Sequence, residues 1–305
     1  MILITEFMDQ SEADRMAAAH ETHYDPNLAD RQADIPAMMP GVQALVVRNR
    51  TQVTQALLDA SPDLKVVGRL GVGLDNIDLE ACKARGIEVI PAIGANTLSV
   101  AEYVVTNAAN LLRNAYQANA AMMAGDWPRA TCSGREVAGR QLGLIGYGGI
   151  ARETARLARG MGMGIAAYDP HLPPDSPHWQ GAAQMGLNEV LATSDVISLH
   201  VPLTDATRHM INAEQLALMR PGSVLVNAAR GGVVDEAALA QAMQSGHIAG
   251  AALDVFETEP LSAEAAQIFA GLSNLILTPH IAGVTQESNT RVSTMIADLV
   301  LDRLS

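Results

Sequence analysis

The sequence predicts an α/β protein made of two doubly wound parallel-sheet domains, and three observations support this fold class. Short apolar runs rich in β-forming residues alternate with helix-length segments, which is typical of parallel sheets covered by helices. The 305 residues are enough for two domains, each with its own core. A long apolar segment, residues 98–116, separates an early from a later group of these runs.

The predicted strands fall into these two groups in chain order. The early strands are "ILIT", "ALVVRN", "KVVGRLG" and "IEVIPA", with the helix candidates "SEADRMAAAH" and "LEACKARG" among them. The later strands are "QLGLIGYG", "GIAAYDP", "DVISLHVP", "GSVLVNAA", "IAGAALDVF" and "NLILTPHI". Each later strand is followed by a turn of Gly, Pro or polar residues and then by a helix-length segment, as parallel pairing requires.

Two further helices define the predicted domains. The segment "LSVAEYVVTNAANLLRNAY" is predicted to be a helix that connects them. The amphipathic segment "TQESNTRVSTMIADLVLDRL" follows the last strand and is predicted to return to the first domain. The predicted domains are therefore residues 1–98 with 286–305, and residues 99–285.

Composition and charge exclude several classes of function. With 49% apolar and 17% charged residues and no apolar run of bilayer length, the chain has the profile of a globular protein. The start, "MILITEFMDQ", lacks a basic region and indicates a first strand rather than a signal peptide, so we expect a cytoplasmic protein. The formal charge of −13 argues against nucleic-acid binding, which needs a basic surface.

The cysteines indicate neither a disulfide framework nor a metal site. Cys82 and Cys132 lie far apart, without a CxxC or other metal-ligand spacing, and we expect two reduced thiols. A metal site built from His280, Asp254 and Glu259 is conceivable, but no compact ligand spacing supports it. We therefore expect no metal.

The strongest local motif is "LGLIGYGGIARE", residues 142–153. Gly146 allows a sharp turn after the strand, Gly148 lets the backbone approach a pyrophosphate, and the small Ala151 permits close packing of the next helix. That helix would direct its N–H groups at the phosphates. Asp169 ends the next predicted strand, 169 − 146 = 23 residues on, where a carboxylate accepts both ribose hydroxyls of NAD and repels the extra phosphate of NADP.

Seven long stretches resemble the D-2-hydroxyacid dehydrogenase family over essentially the whole chain. They are "VVGRLGVGLDNIDLEACKARGI", "GANTLSVAEYV", "GLIGYGGIA", "HVPLTDATRHMIN", "LVNAARGGVVDEAAL", "GAALDVFETEP" and "TPHIAG". The first two are most similar to phosphoglycerate dehydrogenases and (S)-sulfolactate dehydrogenases. The resemblance implies a Rossmann-type NAD domain at 99–285 and a flavodoxin-like substrate domain at 1–98 with 286–305.

The resemblance also implies the catalytic residues of a 2-hydroxy acid dehydrogenase. His280 is expected to take the hydroxyl proton, and Glu259 to hold its imidazole and favour the charged form. Arg230 is expected to bind the substrate carboxylate by a two-pronged contact. From the residues alone, Arg230 could equally be a surface residue, and His280 a hydrogen-bonded core residue. Glu257 is expected to be a solvated spectator.

A larger set is expected to contact NAD, with Asp254 facing the nicotinamide carboxamide. These residues are Gly146, Gly148, Gly149, Ile150, Asp169, His200, Val201, Pro202, Thr207, Ala228, Ala229, Arg230, Asp254, His280 and Gly283.

Substrate binding is expected to involve the first domain as well. The backbone N–H groups of Leu70 to Gly73 can form an anion nest, and Arg69 can meet a second anionic group. The expected substrate residues are Arg69, Leu70, Gly71, Val72, Gly73, Asn96, Arg230 and His280. Arg48 and Arg50 could also contact substrate, although a solvated strand end is an equal alternative.

This cluster of arginines favours a substrate with two anionic groups, such as (S)-sulfolactate or 3-phosphoglycerate. The end of the sequence at Ser305, without regulatory domains, and the extra Arg50 favour sulfolactate. A general reductase of glyoxylate or hydroxypyruvate is an alternative. So is a non-catalytic, corepressor-like NAD-binding scaffold, because a fold alone does not establish catalysis.

The segment "AGDWPRATCSGREVAGRQ" resembles the arm through which members of this family pair with a second subunit. Trp127 would be its apolar anchor, and we expect a homodimer. Arg129 could reach the partner, although a plain surface position is at least as compatible with the sequence. The cleft between the domains is expected to close over substrate and exclude water.

Overall fold

The computed structural model describes residues 1–305. The strands are β1 (Ile2–Ile4), β2 (Thr22–Tyr24), β3 (Ala44–Val47), β4 (Val66–Arg69), β5 (Glu88–Pro91), β6 (Gln141–Ile145), β7 (Gly164–Tyr168), β8 (Ala183–Gln184), β9 (Val196–Leu199), β10 (Ser223–Asn227), β11 (Ile248–Leu253) and β12 (Leu275–Leu277). The α-helices are α1 (Gln10–Ala19), α2 (Ile35–Met38), α3 (Gln55–Asp59), α4 (Leu79–Ala84), α5 (Thr97–Arg113), α6 (Asn119–Met123), α7 (Gly149–Gly160), α8 (Leu187–Thr193), α9 (Ala213–Leu218), α10 (Glu236–Gln244) and α11 (Gln286–Leu304).

The chain divides into two compact units, each with one parallel sheet. Unit 1 comprises Met1–Asn96 and Val284–Ser305, and unit 2 comprises Thr97–Gly283. The sheet of unit 1 has the strand order β2-β1-β3-β4-β5, which is the flavodoxin-like order. The sheet of unit 2 has the order β12-β11-β10-β9-β6-β7-β8, which is the Rossmann order extended by one strand. The predicted fold class is confirmed.

The central strands coincide with continuous apolar runs of the sequence, because a central parallel strand is covered on both faces. All four residues of β3 and all five of β10 are buried. Two edge strands, β2 and β8, were not predicted. Their sequences, "THY" and "AQ", are short and partly or fully exposed, so no apolar run marks them.

The long helix α5, predicted to connect the two domains, belongs to unit 2. Its buried residues Val104, Ala108 and Leu111 join the core cluster that also contains Ala151 and Ala155 of α7. The helix thereby covers one face of the unit 2 sheet beside α7.

The last helix, α11, packs in unit 1. Ile296 and Val300 lie against β4 at Gly68, where an added Cβ would come within 2.8 Å of both side chains. Only glycine permits this close approach of helix and strand. No helix in the structure is long and apolar enough to cross a membrane.

Candidate active site

Three neighbouring strands of unit 2 bring the predicted catalytic residues to one edge of the sheet. β10, β11 and β12 are parallel and in register, with Asn227 opposite Leu253 and Leu253 opposite Leu277. Their carboxyl ends therefore lie side by side. Arg230 follows β10, residues 254–260 follow β11, and His280 follows β12.

His280 and Glu259 form a direct hydrogen bond in which Nδ1 lies 2.7 Å from Oε2. Because a carboxylate only accepts, Nδ1 carries a proton, and Nε2 has its lone pair in the neutral form of the ring. The His280 side chain is 40% exposed and the Glu259 side chain 32%, so the imidazole edge is open to a ligand.

The Glu259 carboxyl is held in its charged form. Burial raises the pKa of Glu259, but hydrogen bonds from His280 and from the Phe256 N–H outweigh burial, and the net pKa is below the ordinary value. The positive charge of Arg230 acts in the same direction, which requires its guanidinium to be near this carboxylate. The Arg, the Glu and the His predicted from the sequence are thus brought together.

The turn that carries Arg230 is fixed by Asn227, at the end of β10. The Asn227 side chain accepts from the Ala229 N–H at 3.1 Å and donates to the Arg230 carbonyl oxygen at 3.0 Å. A Cβ on Gly231 would lie 1.7 Å from the Phe256 carbonyl oxygen, so glycine lets this turn approach the loop after β11. The sequence motif "LVNAARGG" contained both residues, but their structural role was not predicted.

Asp254 is buried and holds the backbone around His280. Its carboxylate accepts from the N–H groups of Ile281 and Ala282, both at 2.8 Å, and from the Thr278 hydroxyl at 2.6 Å. Its carbonyl oxygen accepts from the His280 N–H at 2.8 Å. These anchoring contacts were not predicted. They use lone pairs of the carboxylate oxygens that a metal ion at Asp254 would need.

Glu257, expected to be a solvated spectator, is exposed, but its side chain has hydrogen-bond partners. Its Oε1 lies 3.1 Å from His209 Nε2 and 3.2 Å from the Glu236 N–H, and its own N–H donates to the Glu236 carboxylate at 2.6 Å. Burial, and next the negative charges of Glu257 and Glu259, raise the pKa of Glu236, although the hydrogen bond from the Glu257 N–H opposes them. The loop after β11 is thereby tied to the start of α10.

The glycine motif forms the turn between β6 and α7 that a pyrophosphate requires. Gly146 has φ +85°, and a Cβ there would lie 2.5 Å from the His200 carbonyl oxygen. A Cβ on Gly148 or Gly149 would meet nothing within 4 Å, so open space lies before the helix N-terminus. This cradle fits the phosphates of a dinucleotide.

Asp169 ends the next strand beside this turn. Its carboxylate accepts from the Tyr147 N–H at 2.8 Å and from the His171 N–H at 2.9 Å. These bonds fix the carboxylate next to the glycine turn, where the ribose of a bound dinucleotide is expected.

Two other residues expected at the cofactor have partners within their own segments. His200 Nε2 lies 2.9 Å from the Ser198 hydroxyl, and burial lowers the pKa of His200 to about 4, so the ring is neutral. The Thr207 hydroxyl donates to the Pro202 carbonyl oxygen at 2.6 Å and ties its loop together. The remaining expected contacts lie at the same edge: Ile150 in the first turn of α7, Val201 after β9, Ala228 and Ala229 after β10, and Gly283 after β12.

Unit 1 holds its candidate substrate residues after β4 and β5. Arg69 Nη1 donates to the Leu70 carbonyl oxygen at 3.2 Å, and the guanidinium lies across Gly71, where a Cβ would come within 1.5 Å of Nη1. Asn96 follows β5, and its Oδ1 is buried without a hydrogen-bond partner.

The anion nest predicted after β4 is narrower than expected. The Leu70 N–H donates to a carbonyl oxygen of β3 at 2.8 Å, and the Gly71 N–H donates to the Arg69 carbonyl oxygen at 2.7 Å. These two donors are therefore used inside unit 1. The N–H groups of Val72 and Gly73 are not used in this way.

The loop 48–51 after β3 is fixed by the buried carboxylate of Glu6. That carboxylate accepts from three backbone N–H groups of the loop at 2.8, 2.9 and 3.1 Å. Arg50 pairs with Asp30 and lies 3.7 Å from Glu6, so the expectation that Arg50 contacts substrate loses its support. Arg48 instead donates to Asn289 at 2.8 Å, and burial lowers its pKa.

A glycine turn between a strand and a helix N-terminus, with a carboxylate at the end of the next strand, is typical of dinucleotide-binding domains. The chain belongs to the D-isomer specific 2-hydroxyacid dehydrogenase family, whose NAD-binding domain matches residues 105–282. It is an NAD-dependent oxidoreductase that transfers a hydride between a 2-hydroxy acid and NAD.

Three similar proteins place the chain within this family. It is 49% identical to an (S)-sulfolactate dehydrogenase of Chromohalobacter salexigens, over 98% of this chain and 96% of that protein. It is 40% identical to a hydroxypyruvate reductase of Thermotoga maritima, over 89% and 88%. The solved D-lactate dehydrogenase from Aquifex aeolicus, complexed with NAD and lactic acid, matches with a TM-score of 0.85 and 30% identity over 98% of this chain and 94% of that one.

Proposed function

We propose that this protein oxidises a D-configured 2-hydroxy acid with two anionic groups, and that (S)-sulfolactate, with sulfopyruvate as product, is its substrate. 3-Phosphoglycerate is the second choice. The observation that carries the proposal is the 2.7 Å hydrogen bond between His280 and Glu259 beside the charge of Arg230. The whole-length likeness to a sulfolactate dehydrogenase supports the choice of substrate.

The proposed mechanism follows from the position of the protons. Glu259 accepts a hydrogen bond from Nδ1–H of His280, so Nε2 of the neutral ring can take the proton of the substrate's C2 hydroxyl. Bound NAD supplies the acceptor for the C2 hydrogen as hydride. Arg230 binds the substrate carboxylate through two N–H groups and stabilises negative charge that develops on the C2 oxygen. In the reverse direction, His280 returns its proton to that oxygen.

The proposed cofactor site is the turn at Gly146–Gly149 with Asp169. The N–H groups at the start of α7 would bind the pyrophosphate, and the Asp169 carboxylate would accept the ribose hydroxyls. The same carboxylate would repel the additional phosphate of NADP, which supports NAD as the working cofactor. The open space before Gly148 and Gly149 supports this assignment.

For substrate recognition, we assign the second anion to Arg69 of unit 1. The N–H groups of Val72 and Gly73 would bind the carboxylate, and Asn96, whose Oδ1 is buried without a hydrogen-bond partner, would contact the substrate. Unit 1 would thus be the substrate-binding domain and unit 2 the NAD-binding domain.

Two other functions make different demands on the same residues. A general glyoxylate or hydroxypyruvate reductase, favoured by the hydroxypyruvate reductase relative, needs Arg230 and His280 but no partner for a second anion. A corepressor-like scaffold needs no catalytic residues, so the joint presence of Arg230, Glu259 and His280 supports an enzyme.

The test is a substrate panel of sulfolactate, phosphoglycerate, malate, lactate, glycerate and glyoxylate, measured as NADH or NADPH formation, with the 2-oxo acids run in reverse. The expected result is the highest kcat/KM with sulfolactate and NAD. Higher kcat/KM values for glyoxylate and hydroxypyruvate reduction would favour the general reductase. Tight NAD binding with no turnover of any acid would favour the scaffold.

The assembly state forms part of the same proposal. Trp127 in the arm at residues 124–141, and Tyr116 and Met123 shortly before it, are 72%, 65% and 90% exposed, and so many exposed apolar side chains favour a covered surface. We propose a homodimer in the cytoplasm that uses this arm. Analytical ultracentrifugation should give a dimer for the wild type and a monomer for Trp127→Asp; a wild-type monomer at micromolar concentration would contradict it.

A further inference from the structure

A chain of hydrogen bonds runs from helix α5 to the loop that carries His280. The Tyr103 hydroxyl lies 2.7 Å from the Thr278 hydroxyl, which lies 2.6 Å from the Asp254 carboxylate. Because the carboxylate only accepts, the Thr278 proton points at Asp254. The Tyr103 hydroxyl must then be the donor to Thr278, which fixes the direction of the whole chain.

The Asp254 carboxylate is the end point of this chain and also the anchor of the His280 backbone. It binds the N–H groups of Ile281 and Ala282, and the Asp254 carbonyl oxygen binds the N–H of His280. These three N–H groups belong to His280 and to the two residues that follow it. A shift of the buried carboxylate would therefore move His280.

The backbone of His280 needs this support. Its φ is +54°, in the left-handed region that non-glycine residues adopt at a cost in free energy. Such a conformation persists when surrounding contacts determine it. The contacts here converge on Asp254, and Tyr103 is the one member of the chain that comes from a helix on the face of the sheet.

We propose that Tyr103 and Thr278 are positioning residues for catalysis, which act through Asp254 to hold His280 where it meets Glu259 and substrate. This inference rests on the role proposed for His280. Neither residue is expected to touch substrate. Burial, and next the charge of Asp254, outweigh the hydrogen bond to Thr278 and raise the pKa of Tyr103 to about 12, so the phenol remains a donor over any assay range.

The test is steady-state kinetics of Tyr103→Phe, Thr278→Val and the double variant, with Thr278→Ser as the conservative replacement. Loss of the hydroxyl should lower kcat about tenfold through misplacement of the base, while KM for the acid and the Kd for NAD change less than about twofold. The two substitutions break one chain, so the double variant should be no slower than the slower single variant. Thr278→Ser should restore most of kcat.

The matched control is Tyr24→Phe in unit 1, which also loses a hydrogen-bonded phenol hydroxyl; the Tyr24 hydroxyl donates to the Met8 carbonyl oxygen at 2.8 Å. It should leave kcat unchanged. An unchanged kcat in Tyr103→Phe would overturn the inference, and so would a loss of kcat that is matched by weaker NAD binding or that adds in the double variant. Should Tyr103→Phe fold poorly, the comparison of Thr278→Val with Thr278→Ser decides the matter.

His280→Ala separates failure of the inference from failure of the proposed function. If His280→Ala is inactive while Tyr103→Phe is normal, only the inference fails. If His280→Ala keeps wild-type kcat, the proposed base is wrong and the proposed function fails with it.

Discussion

The carboxyl edges of the two sheets differ in the kind of group they hold. In unit 2 the edge holds a histidine and a glutamate joined at 2.7 Å, each fixed by backbone contacts. In unit 1 the edge holds arginines and backbone N–H groups, with the buried carboxylate of Glu6 used only to hold a loop. Proton transfer needs the first kind of edge, and anion recognition needs the second. Substitutions of His280 and Glu259 in unit 2 should therefore act on kcat, and those of Arg69 in unit 1 on KM and substrate choice.

The largest expected effect is that of His280→Ala on kcat. Removal of the proposed base should lower kcat about 10²- to 10⁴-fold, because no other group replaces Nε2. The control is His247→Ala, which removes an imidazole at the amino end of β11, hydrogen-bonded to a carbonyl oxygen at 3.1 Å. Stopped-flow or steady-state NADH formation measures both. Equal, small losses of kcat in His280→Ala and His247→Ala would contradict the proposal that the carboxyl edge of unit 2 carries out proton transfer.

The next effect is on substrate choice, through Arg69→Ala in unit 1. The KM for sulfolactate should rise about 10- to 100-fold, the range expected for a lost hydrogen bond between charged groups, while the KM for glyoxylate changes less than about threefold. Arg50→Ala is the matched control, because Arg50 is engaged with Asp30. Equal increases in the KM for sulfolactate and for glyoxylate in Arg69→Ala would contradict the role of Arg69 in binding a second anion.

The smallest effect concerns stability rather than turnover, at His200. The pKa of this ring falls from 6.5 to about 4 through burial, so the unfolded chain takes up a proton below pH 6.5 that the folded chain does not. His200 should therefore lower stability as the pH falls from 6.5 to 4, by at most about 1.4 kcal/mol per pH unit, and should contribute no slope above pH 6.5.

Urea unfolding of wild type and His200→Asn without NAD measures this contribution. The difference in unfolding free energy between the two proteins should change between pH 6.5 and 4 and stay constant from pH 7 to 8. A constant difference over the whole range would contradict the buried, neutral state of the ring.

The sequence was informative where a local pattern reports a local structure. Continuous apolar runs predicted the central strands, and the spacing of Gly146, Gly148 and Ala151 predicted the turn before α7. The edge strands β2 and β8 had no such pattern, because an exposed edge needs no apolar residues.

Contacts between residues that are far apart in the sequence could not be predicted from local patterns. The contacts of Glu257 were not predicted because its partners, Glu236 and His209, lie 21 and 48 positions away in the sequence. Tyr103 and Thr278 are 175 positions apart, and nothing local to either marks them as a pair. The Leu70 and Gly71 N–H groups were predicted to be available to an anion, but both donate to carbonyl oxygens of unit 1.

The central claim is that Glu259 acts through His280, and its most direct test is kcat of Glu259→Gln against Glu257→Gln on the same loop. Glutamine at 259 cannot supply the negative charge that fixes the Nδ1 proton, so kcat should fall at least about tenfold with the KM for sulfolactate nearly unchanged. Glu257→Gln should keep kcat within about threefold. A Glu259→Gln enzyme with wild-type kcat, or one no slower than Glu257→Gln, would contradict the proposed active site.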